Sequence, residues 1–571
     1  MIGANQLRLI QRSRQSSLEG LGLDAVVQRV LEGRGAAADQ LDLRLAQLLQ
    51  PDLLGLPAAV NLLMQAYQKQ QSVVICGDFD ADGATSTALM IRGLRRLGFQ
   101  QLRYHVPDRF RMGYGLSVML IEHVRSQGPV DLIITVDNGM SSSEAVAVAQ
   151  QYGIRVLITD HHLPGEQLPA AEALVNPNQP GCPFPAKNLA GVGVAFYLLA
   201  SFRSQLQRDY PQQTWPGITD LLDLVALGTV ADLVPLDSLN RILVHQGLCR
   251  IRQGRCVPGI LALAEASARP LAELKAADLG FYLAPRLNAA GRLDHMALGI
   301  ECLLTDDLTT ARQWAARLHT LNQERRHIEE GMKEQALLVT EALETASEPR
   351  AVVLFHEQWH EGVIGLVASR IKEKTQCPVI ALAPTEDPQV LKGSARSIAG
   401  AHMRDLLAWV NLRYPGTLLR FGGHAMAAGL SMQRNQLPQL RQGFLEAVAA
   451  CVPENCFRRE YYHDGELTLQ ELRIELAEAL ERAGPWGQGF PEPRFIGDFV
   501  IVGQRLLKDR YLKLTVDVQG KRFDAICFNP DLNLWPDPQV SRARMGYALE
   551  INNYKGQAQL QLRIDYLLPL P

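Results

Sequence analysis

The chain of 571 residues is 47% hydrophobic and 20% charged, with a formal net charge of −3. This length predicts roughly three or four domains, and the near-neutral charge neither favours nor excludes a polyanionic partner. No apolar run approaches the ~20 residues that span a bilayer. The nine cysteines are scattered and form no C-x-x-C pair, which argues against structural zinc and against a disulfide framework. Such thiols predict a cytoplasmic protein.

Residues 1–70 predict helices that pack against the sheet that follows them. They begin with MIGANQLRLIQRSRQSS, which has no apolar core followed by a small-residue cleavage site. We therefore expect no secretory signal.

The stretch VVICGDFDADGA at residues 73–84 joins an apolar run to a cluster of acids. Four hydrophobic residues bounded by Gly77 predict a buried strand, and Asp78, Asp80 and Asp82 follow it at intervals of two. Clustered carboxylates repel one another and are costly to desolvate. The pattern therefore predicts a divalent cation, although a solvated turn and a calcium loop have the same D-x-D-x-D spacing.

Two further apolar runs also end in residues that bind metals. Residues 131–136 (DLIITV) stop at Asp137, and residues 154–159 (IRVLIT) stop at the tripeptide DHH of residues 160–162. Strands that alternate with helical segments predict a parallel α/β sheet. Because the chemistry of such sheets lies beyond the carboxyl ends of the strands, we expect all these side chains to share one edge.

A fourth segment, residues 221–236 (LLDLVALGTVADLVPL), adds Asp232, which follows a Gly-Thr step that resembles a turn. Asp223 is a weaker candidate because it lies in the helical part of the same segment. Carboxylates with one or two imidazoles suit Mn²⁺ or Mg²⁺ better than they suit thiolate-preferring metals. Because so many carboxylates exceed the need of one ion, the pattern predicts two cations bridged by a shared carboxylate, as used for in-line attack at phosphorus.

The second half of the chain predicts a connector, another α/β block and a β-rich tail. Residues 308–346 contain strong helix formers and no proline, which predicts one long helix between domains. The α/β pattern restarts at residues 350–355, and residues 392–397 (KGSARS) and 421–424 (FGGH) predict small-residue loops that suit phosphate. From residue 461 onward, alternating segments predict a barrel of the OB type, a fold that often holds single strands.

Aromatic and basic side chains are the candidates for contacts with a nucleic acid. Three aromatic residues of the tail could stack on bases or belong to the barrel core: Tyr511, Phe523 and Phe528. Three arginines on one predicted helix indicate a solvated face: Arg92, Arg95 and Arg96. Four arginines in predicted loops beside the motifs are better candidates for phosphate contacts: Arg109, Arg286, Arg292 and Arg396.

Four motifs resemble the phosphoesterase motifs of the DHH family: GDFDADGATSTA, TVDNG, TDHH and LVALGTVADLVPL. Their order and spacing are similar to those of the bacterial RecJ-type single-strand-specific exonucleases, and the similarity covers nearly the whole chain. It includes PDRF with GYGLS at residues 107–117, APRLNAAGR at 284–292, WHEGVIG at 359–365, and GGH followed by AAG at 422–429. The last two resemble the DHHA1 domain. No position that the family uses for metal departs from its pattern.

The resemblance implies an α/β protein built in five parts. These are an N-terminal helical segment (1–70), a DHH phosphoesterase domain with a parallel sheet (71–305), a connecting helix (306–348), an α/β DHHA1 domain (349–455) and an all-β, OB-type nucleic-acid-binding domain (456–571).

The resemblance also implies that six residues bind the two cations, Mn²⁺ or Mg²⁺: Asp78, Asp80, Asp82, Asp137, His161 and Asp232. Asp80 would bind one cation and Asp82 the other, and Asp137 would bridge them. His161 and Asp232 would complete the second site. A water activated by the cations would attack phosphorus, so no covalent intermediate is expected.

Asp78 would be a ligand or a near neighbour of the first cation, and His162 would contact the scissile phosphate. His162 and Asp137 are therefore the catalytic candidates. Ten further residues would bind substrate: Arg109, Arg286, Asn288, Arg292, His360, Ser394, Arg396, Gly422, Gly423 and His424. Within this set, Ser394, Arg396 and the turn of residues 422–424 would hold the phosphate of the terminal nucleotide if the DHHA1-like block faces the metals.

The implied activity is a 5′→3′ exonuclease that degrades single-stranded DNA to 5′-mononucleotides in recombination and repair. We expect a monomer that works with single-strand-binding protein and a RecQ-type helicase and not with a membrane. Two alternatives are a DHH phosphodiesterase of short oligonucleotides or cyclic dinucleotides, and a catalytically silent replication scaffold. The long connector, the segment with Arg286 and Arg292, and the β-rich tail favour a long substrate, and the intact acid and histidine set argues against the scaffold.

Overall fold

The computed structural model describes residues 7–109, 112, 113, 115–165, 167–344, 350–554 and 557–571. The motif residues Phe110 and Tyr114, residues 1–6 of the predicted N-terminal segment and residues 345–348 of the predicted connector lie outside these ranges. The chain divides into two compact units. One comprises Ile10–His319 and Tyr462–Pro571, and the other comprises Thr320–Tyr461 with the described part of Met1–Leu9.

The secondary structure alternates between strands and helices until the last segment, which is mostly β. The strands are β1 (Leu7–Gln11), β2 (Val73–Cys76), β3 (Leu102–His105), β4 (Leu132–Val136), β5 (Arg155–Thr159), β6 (Ala173–Val175), β7 (Val352–Phe355), β8 (Val379–Pro384), β9 (Val390–Arg396), β10 (Arg420–Gly423), β11 (Ala427–Gln433), β12 (Arg459–His463), β13 (Phe495–Leu507), β14 (Tyr511–Val518), β15 (Lys521–Cys527), β16 (Arg542–Tyr554) and β17 (Gln557–Leu570). The helices are α1 (Ala25–Glu32), α2 (Leu56–Gln68), α3 (Ala81–Arg96), α4 (Val118–Ser126), α5 (Ser143–Gln151), α6 (Gly191–Asp209), α7 (Leu222–Ala231), α8 (Ser238–Arg252), α9 (Pro258–Ala266), α10 (Ala276–Asp278), α11 (Ala284–Leu293), α12 (Ala297–Leu304), α13 (Leu308–Glu344), α14 (Ile364–Thr375), α15 (Met403–Arg413), α16 (Leu437–Cys451) and α17 (Ile474–Ala483).

The larger unit contains the predicted parallel sheet, with the strand order β3-β2-β4-β5-β6. Strands β2 and β4 are buried along their whole length, as expected for apolar strands that helices cover. Helices α4 and α5 share an apolar cluster with the sheet, which includes Ile133 and Val146. Helix α3 packs against α6 and α7. This arrangement places the carboxyl ends of β2, β4 and β5 side by side at one edge.

The N-terminal segment was predicted to be helical and to pack on this sheet, and the prediction is only partly right. Helix α2 does pack against β6 and α6, but α1 packs against α17 from the C-terminal part of the chain. The segment also begins with a strand, β1, which pairs with β12. A buried ion pair explains why α1 is held there, because Arg34 Nη1 lies 2.7 Å from Asp464 Oδ1 and both side chains are 1% exposed.

The C-terminal tail forms the predicted OB-type barrel, which is closed by five strands in the order β13-β14-β15-β17-β16. Strand β15 pairs in parallel with β17, and the other pairs are antiparallel. This is the Greek-key closure of the OB fold. The barrel begins at Phe495, so β12 and α17 precede it within the predicted OB segment.

The smaller unit contains a mixed sheet with the order β10-β11-β9-β8-β7, in which only β7 and β8 are parallel. Residues 392–396 and 421–423 were predicted to lie in loops, and this is wrong, because they belong to β9 and β10. Strand β9 alternates buried and half-buried residues. Its glycine serves packing, because a Cβ on Gly393 would lie 2.7 Å from Leu430 and 2.8 Å from Leu382.

The predicted connector is the 37-residue helix α13. The boundary between the two units falls within it, between His319 and Thr320. In the described part of the chain, no helix is both long and apolar enough to cross a membrane.

Candidate metal centre

The edge of the parallel sheet receives acids and imidazoles from three strands. Asp78 follows β2 by two residues, Asp137 follows β4 directly, and His161 follows β5 by two residues. Asp80 is the N-cap of α3 and accepts a hydrogen bond from Gly83 N, and Asp82 lies in the first turn of the same helix. The alternation of strand and helix therefore brings together the side chains that the sequence predicted to meet.

Asp232 reaches the same place from the C-cap of α7. The Gly-Thr step before it was predicted to turn, but it is helical. Its glycine allows two helices to approach, because a Cβ on Gly228 would lie 2.8 Å from Asp82 Oδ1. The weaker candidate, Asp223, lies in the first turn of α7 and accepts a hydrogen bond from Val257 N, at the start of α9. This contact assigns Asp223 to folding.

The ligand atoms form three overlapping groups, and in each group they lie within 4.8 Å of one another: Asp78, Asp80 and Asp137; Asp82, His161 and Asp232; Asp137, His161 and His162. His161 Nε2 lies 3.1 Å from Asp137 Oδ1 and 3.4 Å from Asp232 Oδ2. Asp137 and His161 thus link neighbouring groups. The grouping follows the roles implied by the resemblance, which remain predictions for the individual residues.

The electrostatics of the cluster call for positive charge. Burial raises the pKa values of Asp78, Asp137 and Asp232 well above the ordinary range of an aspartate, and the charges of neighbouring acids raise them further. The same two causes raise the pKa of Asp82 to about 7. Carboxylate oxygens with one imidazole are a donor set for hard divalent cations, and two such ions would offset this repulsion. The residues present fit two cations.

The N-terminus of α6 holds Asp82, and this contact was missed from the sequence. Asp82 accepts hydrogen bonds from Gly191 N at 2.7 Å and from Val192 N at 3.0 Å. A helix N-terminus favours an anionic partner. Gly191 also permits a close approach, because a Cβ there would lie 2.6 Å from Asp137 Oδ1. The glycines of the AGVGVAF stretch were the available signal.

The turn after β4 is strained and fixed. Asp137 has φ +62°, in the left-handed region that residues other than glycine seldom adopt, and such strain is common at functional sites. Asn138 Nδ2 donates to the carbonyl oxygens of Cys76 at 3.1 Å and Val136 at 2.9 Å. Asn138 thereby ties the ends of β2 and β4 together beside the acids.

Asp160 orients the second histidine, a role that the sequence did not reveal. It is buried, and its Oδ1 accepts hydrogen bonds from His161 N and His162 N and lies 2.7 Å from His162 Nδ1, while its Oδ2 accepts one from Met140 N. Burial opposes a charge on His162, but the Asp160 hydrogen bond and nearby acids outweigh it and raise the pKa of His162 to about 9. Asp160 is therefore a positioning residue.

Two predicted substrate residues in the larger unit contact the acid-bearing loop. Asn288 Oδ1 accepts a hydrogen bond from Ala81 N at 2.9 Å, and the guanidinium of Arg109 lies 4.2 Å from the centroid of the Phe79 ring. The packing is tight, because a Cβ on Gly291 would lie 1.9 Å from Phe79 O. Helix α11 therefore braces this loop, and Asn288 is engaged in that contact.

Arg286 and Arg292 were predicted to lie in a loop, but both belong to α11. Arg286 is 6% exposed, and its guanidinium contacts the carbonyl oxygens of Tyr282 and Ala266 and the His319 ring. These contacts favour a bracing role for Arg286. Arg292 lies in the last turn of the helix. The loop prediction was wrong because the small residues of this motif serve helix packing, as Gly291 does against Phe79.

The remaining predicted substrate residues belong to the smaller unit. Ser394 and Arg396 lie on the same face of β9, and Arg396 Nη1 donates to Ser394 Oγ at 2.9 Å. Both lie beside the first turn of α14, because a Cβ on Gly365 would lie 2.8 Å from Arg396 Nη2 and 3.0 Å from Ser394 Oγ. His360 precedes this helix, and its carbonyl oxygen accepts from Val363 N. A basic side chain and a hydroxyl thus meet at a helix N-terminus, a setting that suits an anion.

The glycines beside them form a bare strip of backbone. Gly422 pairs with Gly429, and Gly429 pairs with Ser394, so the three share one row across β10, β11 and β9. A Cβ on Gly422 would contact nothing within 4 Å. Gly423 ends β10 at φ +139°, and His424 N then donates to Ala427 O. Glycine in a strand is typical of a site where another backbone approaches closely.

The tail aromatics and the α3 arginines have different environments. Phe523 is 6% exposed and belongs to the barrel core, whereas Tyr511 and Phe528 are accessible and pair edge to face at 5.4 Å. Arg95 and Arg96 lie on the predicted solvated face. Arg92 does not, because it is buried and binds Asp306 and the carbonyl oxygens of Leu303 and Thr305.

The fold and this edge define a DHH-type phosphoesterase. The model of the DHH family, N-terminal domain, matches residues 72–229, that of the DHHA1 domain matches residues 348–452, and that of the RecJ OB domain matches residues 463–566. A relative from Dickeya dadantii (strain 3937), the single-stranded-DNA-specific exonuclease RecJ, is 49% identical over 96% of both chains. The chain therefore belongs to the family of RecJ single-stranded-DNA-specific exonucleases.

Solved structures agree with this membership. The crystal structure of RecJ in complex with Mn²⁺ from Thermus thermophilus matches with a TM-score of 0.82 and 29% identity, over 99% of this chain and 80% of that chain. The Mg²⁺ complex of RecJ from the same organism matches with a TM-score of 0.77 and 28% identity, over 99% of this chain and 79% of that chain. The expected fold class is confirmed.

Proposed function

We infer that the chain is a single-stranded-DNA-specific exonuclease that degrades DNA from the 5′ end to 5′-mononucleotides in recombination and repair. The observation that carries this conclusion is the set of acids and histidines from four chain segments at one sheet edge, in a chain that aligns with such exonucleases over nearly its whole length. The cofactors are two divalent cations, Mn²⁺ or Mg²⁺. The OB-type barrel favours a long single strand over a cyclic dinucleotide.

Each residue at the edge has a defined task in this reaction. When bound, the two cations supply charge that offsets the phosphate and an activated water for in-line attack. Asp80 and Asp82 would hold one cation each, and the carboxylate of Asp137 would be shared by both sites. His161 and Asp232 would complete the second site. Asp78, which burial makes costly to ionise, belongs to the first group with Asp80 and Asp137 and would be a ligand or a near neighbour of the first cation.

His162 binds the substrate and does not serve as the nucleophile. Its Nδ1 is held by Asp160, so the ring contacts the scissile phosphate through Nε2. In the metal-free chain, burial lowers the pKa of His162, but the Asp160 hydrogen bond and the nearby acids raise it to about 9 and favour the charged form of the ring. A charged donor stabilises phosphate oxygens more strongly than a neutral one.

The smaller unit recognises the end of the strand. Ser394 and Arg396 bind the phosphate of the terminal nucleotide, with Gly422 and Gly423 admitting its backbone. The support is the meeting of hydroxyl, guanidinium and helix N-terminus at β9 and α14. Arg109 and Arg292 in the larger unit, and His360 and His424 in the smaller unit, are further proposed substrate contacts.

We further propose that the chain acts as a cytoplasmic monomer together with single-strand-binding protein and a RecQ-type helicase. The cytoplasmic assignment is supported by the nine cysteines, all of which are free thiols in the described residues. Sedimentation of the purified chain and pull-down with each partner test these statements.

One assay tests the activity itself. End-labelled single-stranded DNA, duplex DNA, RNA and a cyclic dinucleotide are each incubated with Mn²⁺ or Mg²⁺, and the products are separated. We expect 5′-mononucleotides from single-stranded DNA and little from duplex DNA. Cleavage of the cyclic dinucleotide alone would favour a phosphodiesterase, and no cleavage of any substrate would favour a scaffold.

A further inference from the structure

The loop after Asp232 lies directly against a turn from the C-terminal part of the same unit. Leu236 N donates to Gln488 O at 2.7 Å. A Cβ on Gly489 would lie 3.0 Å from Pro235 Cβ. The two segments therefore touch so closely that one more carbon at Gly489 would have to displace Pro235 slightly.

This turn is rigid. Gly487 N donates to Phe490 O at 2.9 Å, and Phe490 N donates to Gly487 O at 3.2 Å, which closes a four-residue turn. Gly489 has φ +71°, in the left-handed region that favours glycine. Because both ends of the turn are bonded to each other, its position depends on what fixes residues 486 and 490.

Those two positions are aromatic and lie in a stack with two arginines. The rings of Trp486 and Phe490 are 5.1 Å apart and inclined by only 9°. The guanidinium of Arg34 lies 5.2 Å from the centroid of Trp486, and that of Arg241 lies 4.1 Å from the centroid of Phe490. Stacked aromatic and cation–π contacts of this kind stabilise the positions of the rings that make them.

The two arginines connect the turn to different parts of the unit. Arg34 pairs with the buried Asp464, whose Oδ2 also accepts from Arg494 N just before the barrel begins. Arg241 lies in the first turn of α8, the helix that follows the Asp232 loop in the chain. Its guanidinium donates to the carbonyl oxygens of Gln40 and Ala483. The turn is thus held between the barrel side and the helix that follows the metal-binding segment.

The Asp232 loop needs such support. Asp232 is the C-cap of α7, and Leu233 has φ +60° although it is not a glycine. Its side chain is 69% exposed, so packing of Leu233 does not fix the loop. Asp232 is also repelled by neighbouring acids. Asn240 Nδ2 donates to Pro235 O from one side, and the turn covers the other.

We propose that residues 484–490, which include this turn, position Asp232 for cation binding, so that the C-terminal part of the chain contributes to metal affinity. This inference rests on the proposed role of Asp232 as a ligand. The turn holds the loop and touches neither substrate nor cation, so its residues are positioning residues. The C-terminal part would then serve the metal centre as well as the capture of the strand.

The test compares two glycine substitutions in the full chain. Gly489→Ala introduces both backbone strain and a contact with Pro235, whereas Gly520→Ala, at φ +88° in the β14–β15 turn, introduces strain with nothing within 4 Å. Calorimetric titration of the metal-free proteins with Mn²⁺ should show binding roughly 10–100-fold weaker for Gly489→Ala, as for other residues that orient metal ligands. Gly520→Ala should bind like the wild type.

Activity provides a second, separable readout. Gly489→Ala should lower kcat at limiting Mn²⁺, recover at high Mn²⁺, and keep the KM for long single-stranded DNA. Gly487→Val should behave in the same way, because a Cβ on Gly487 would lie 2.7 Å from Leu236 Cδ1. By linkage, Mn²⁺ should also slow amide hydrogen exchange in residues 484–490 of the wild type.

Equal Mn²⁺ affinity in Gly489→Ala and the wild type would overturn the proposal. An amide hydrogen exchange rate in residues 484–490 that does not change when Mn²⁺ is added would also overturn it. A uniform loss of stability in both glycine variants with unchanged Mn²⁺ binding would also overturn it, because the turn would then serve folding alone. If the wild type binds Mn²⁺ and degrades DNA and the variant behaves in the same way, only the role of the turn is rejected. If the wild type neither binds Mn²⁺ nor degrades DNA, the proposed function itself is rejected.

Discussion

In the parallel sheet, the polar groups beyond β2 and β4 are carboxylates that are almost fully buried, and burial and mutual repulsion raise their pKa values. In the mixed sheet, β9 ends with a half-buried serine and arginine that bond to each other, beside exposed glycines of β10. The carboxylates of the first surface repel one another unless cations offset their charge. The second offers donors to an anion. In the proposed function, the first surface carries the chemistry and the second carries the recognition of the strand.

The largest effect is expected from Asp137→Ala. The substitution removes the carboxylate shared by two ligand groups, so hydrolysis should fall by roughly a thousandfold or more, even at saturating metal. Single-turnover cleavage of end-labelled DNA measures the change. Asp209→Ala, at an exposed acid at the end of α6, is the matched control and should keep full activity. Near wild-type turnover by folded Asp137→Ala protein would exclude a two-metal mechanism.

Arg396→Ala tests the recognition surface. Loss of a charge-assisted contact costs about 1.5–3 kcal/mol, which is roughly ten- to a hundredfold in binding of a 5′-phosphorylated end. Binding of a 5′-hydroxyl end should change much less, and Mn²⁺ affinity should not change. Arg413→Ala, at an exposed arginine of α15, is the control. Equal losses on both ends would show that Arg396 only supports β9 and α14.

The barrel aromatics are tested by Tyr511→Ala and Phe528→Ala. Truncation of the tail from residue 461 is unsuitable, because it removes Asp464, the buried partner of Arg34. If the rings stack on bases, each substitution should weaken binding of long single strands by about 1–3 kcal/mol. Cleavage of a very short strand should be unaffected.

Fluorescence anisotropy with strands of increasing length measures this effect. Tyr152→Ala removes an exposed ring that lies outside the barrel and serves as the control. A loss that is the same for every strand length would assign the two rings to barrel stability.

The smallest effect concerns the pH dependence of the metal-free protein. The pKa of Asp82 is about 7 in the folded chain and about 3.9 in an unfolded one. Between these values the folded state retains a proton that the unfolded state has lost, so the free energy of unfolding falls as pH rises from ~4 to ~7. Thermal unfolding at pH 5 and pH 7 should therefore show a lower Tm at pH 7.

Asp82→Asn isolates this contribution, because it removes the titrating group and should reduce the drop in Tm. Addition of Mn²⁺ at pH 7 should raise the Tm of the wild type by binding only the folded state. An identical pH dependence in wild type and Asp82→Asn would show that Asp82 is not the group responsible.

The parallel sheet and its acids were predictable because their signals are local. An apolar run followed by Asp137 or by the DHH tripeptide needs only the strand period and the rule that parallel strands share their carboxyl edge. The long helix α13 and the barrel were predictable for similar reasons, from composition and alternation. The sequence by itself therefore determined the order of the elements and the chemistry at the ends of the strands.

The tertiary structure decided which small and basic residues serve packing. Gly393 has no side chain at its position in β9 because Leu382 and Leu430 occupy the space where a Cβ would be. Arg92 is buried because Asp306 and two carbonyl oxygens accept its hydrogen bonds. Neither neighbour can be inferred from the local pattern. The contact of Leu236 with Gln488 likewise joins segments about 250 residues apart, and chain proximity over such a separation depends on packing of the whole unit and not on any local preference of the backbone.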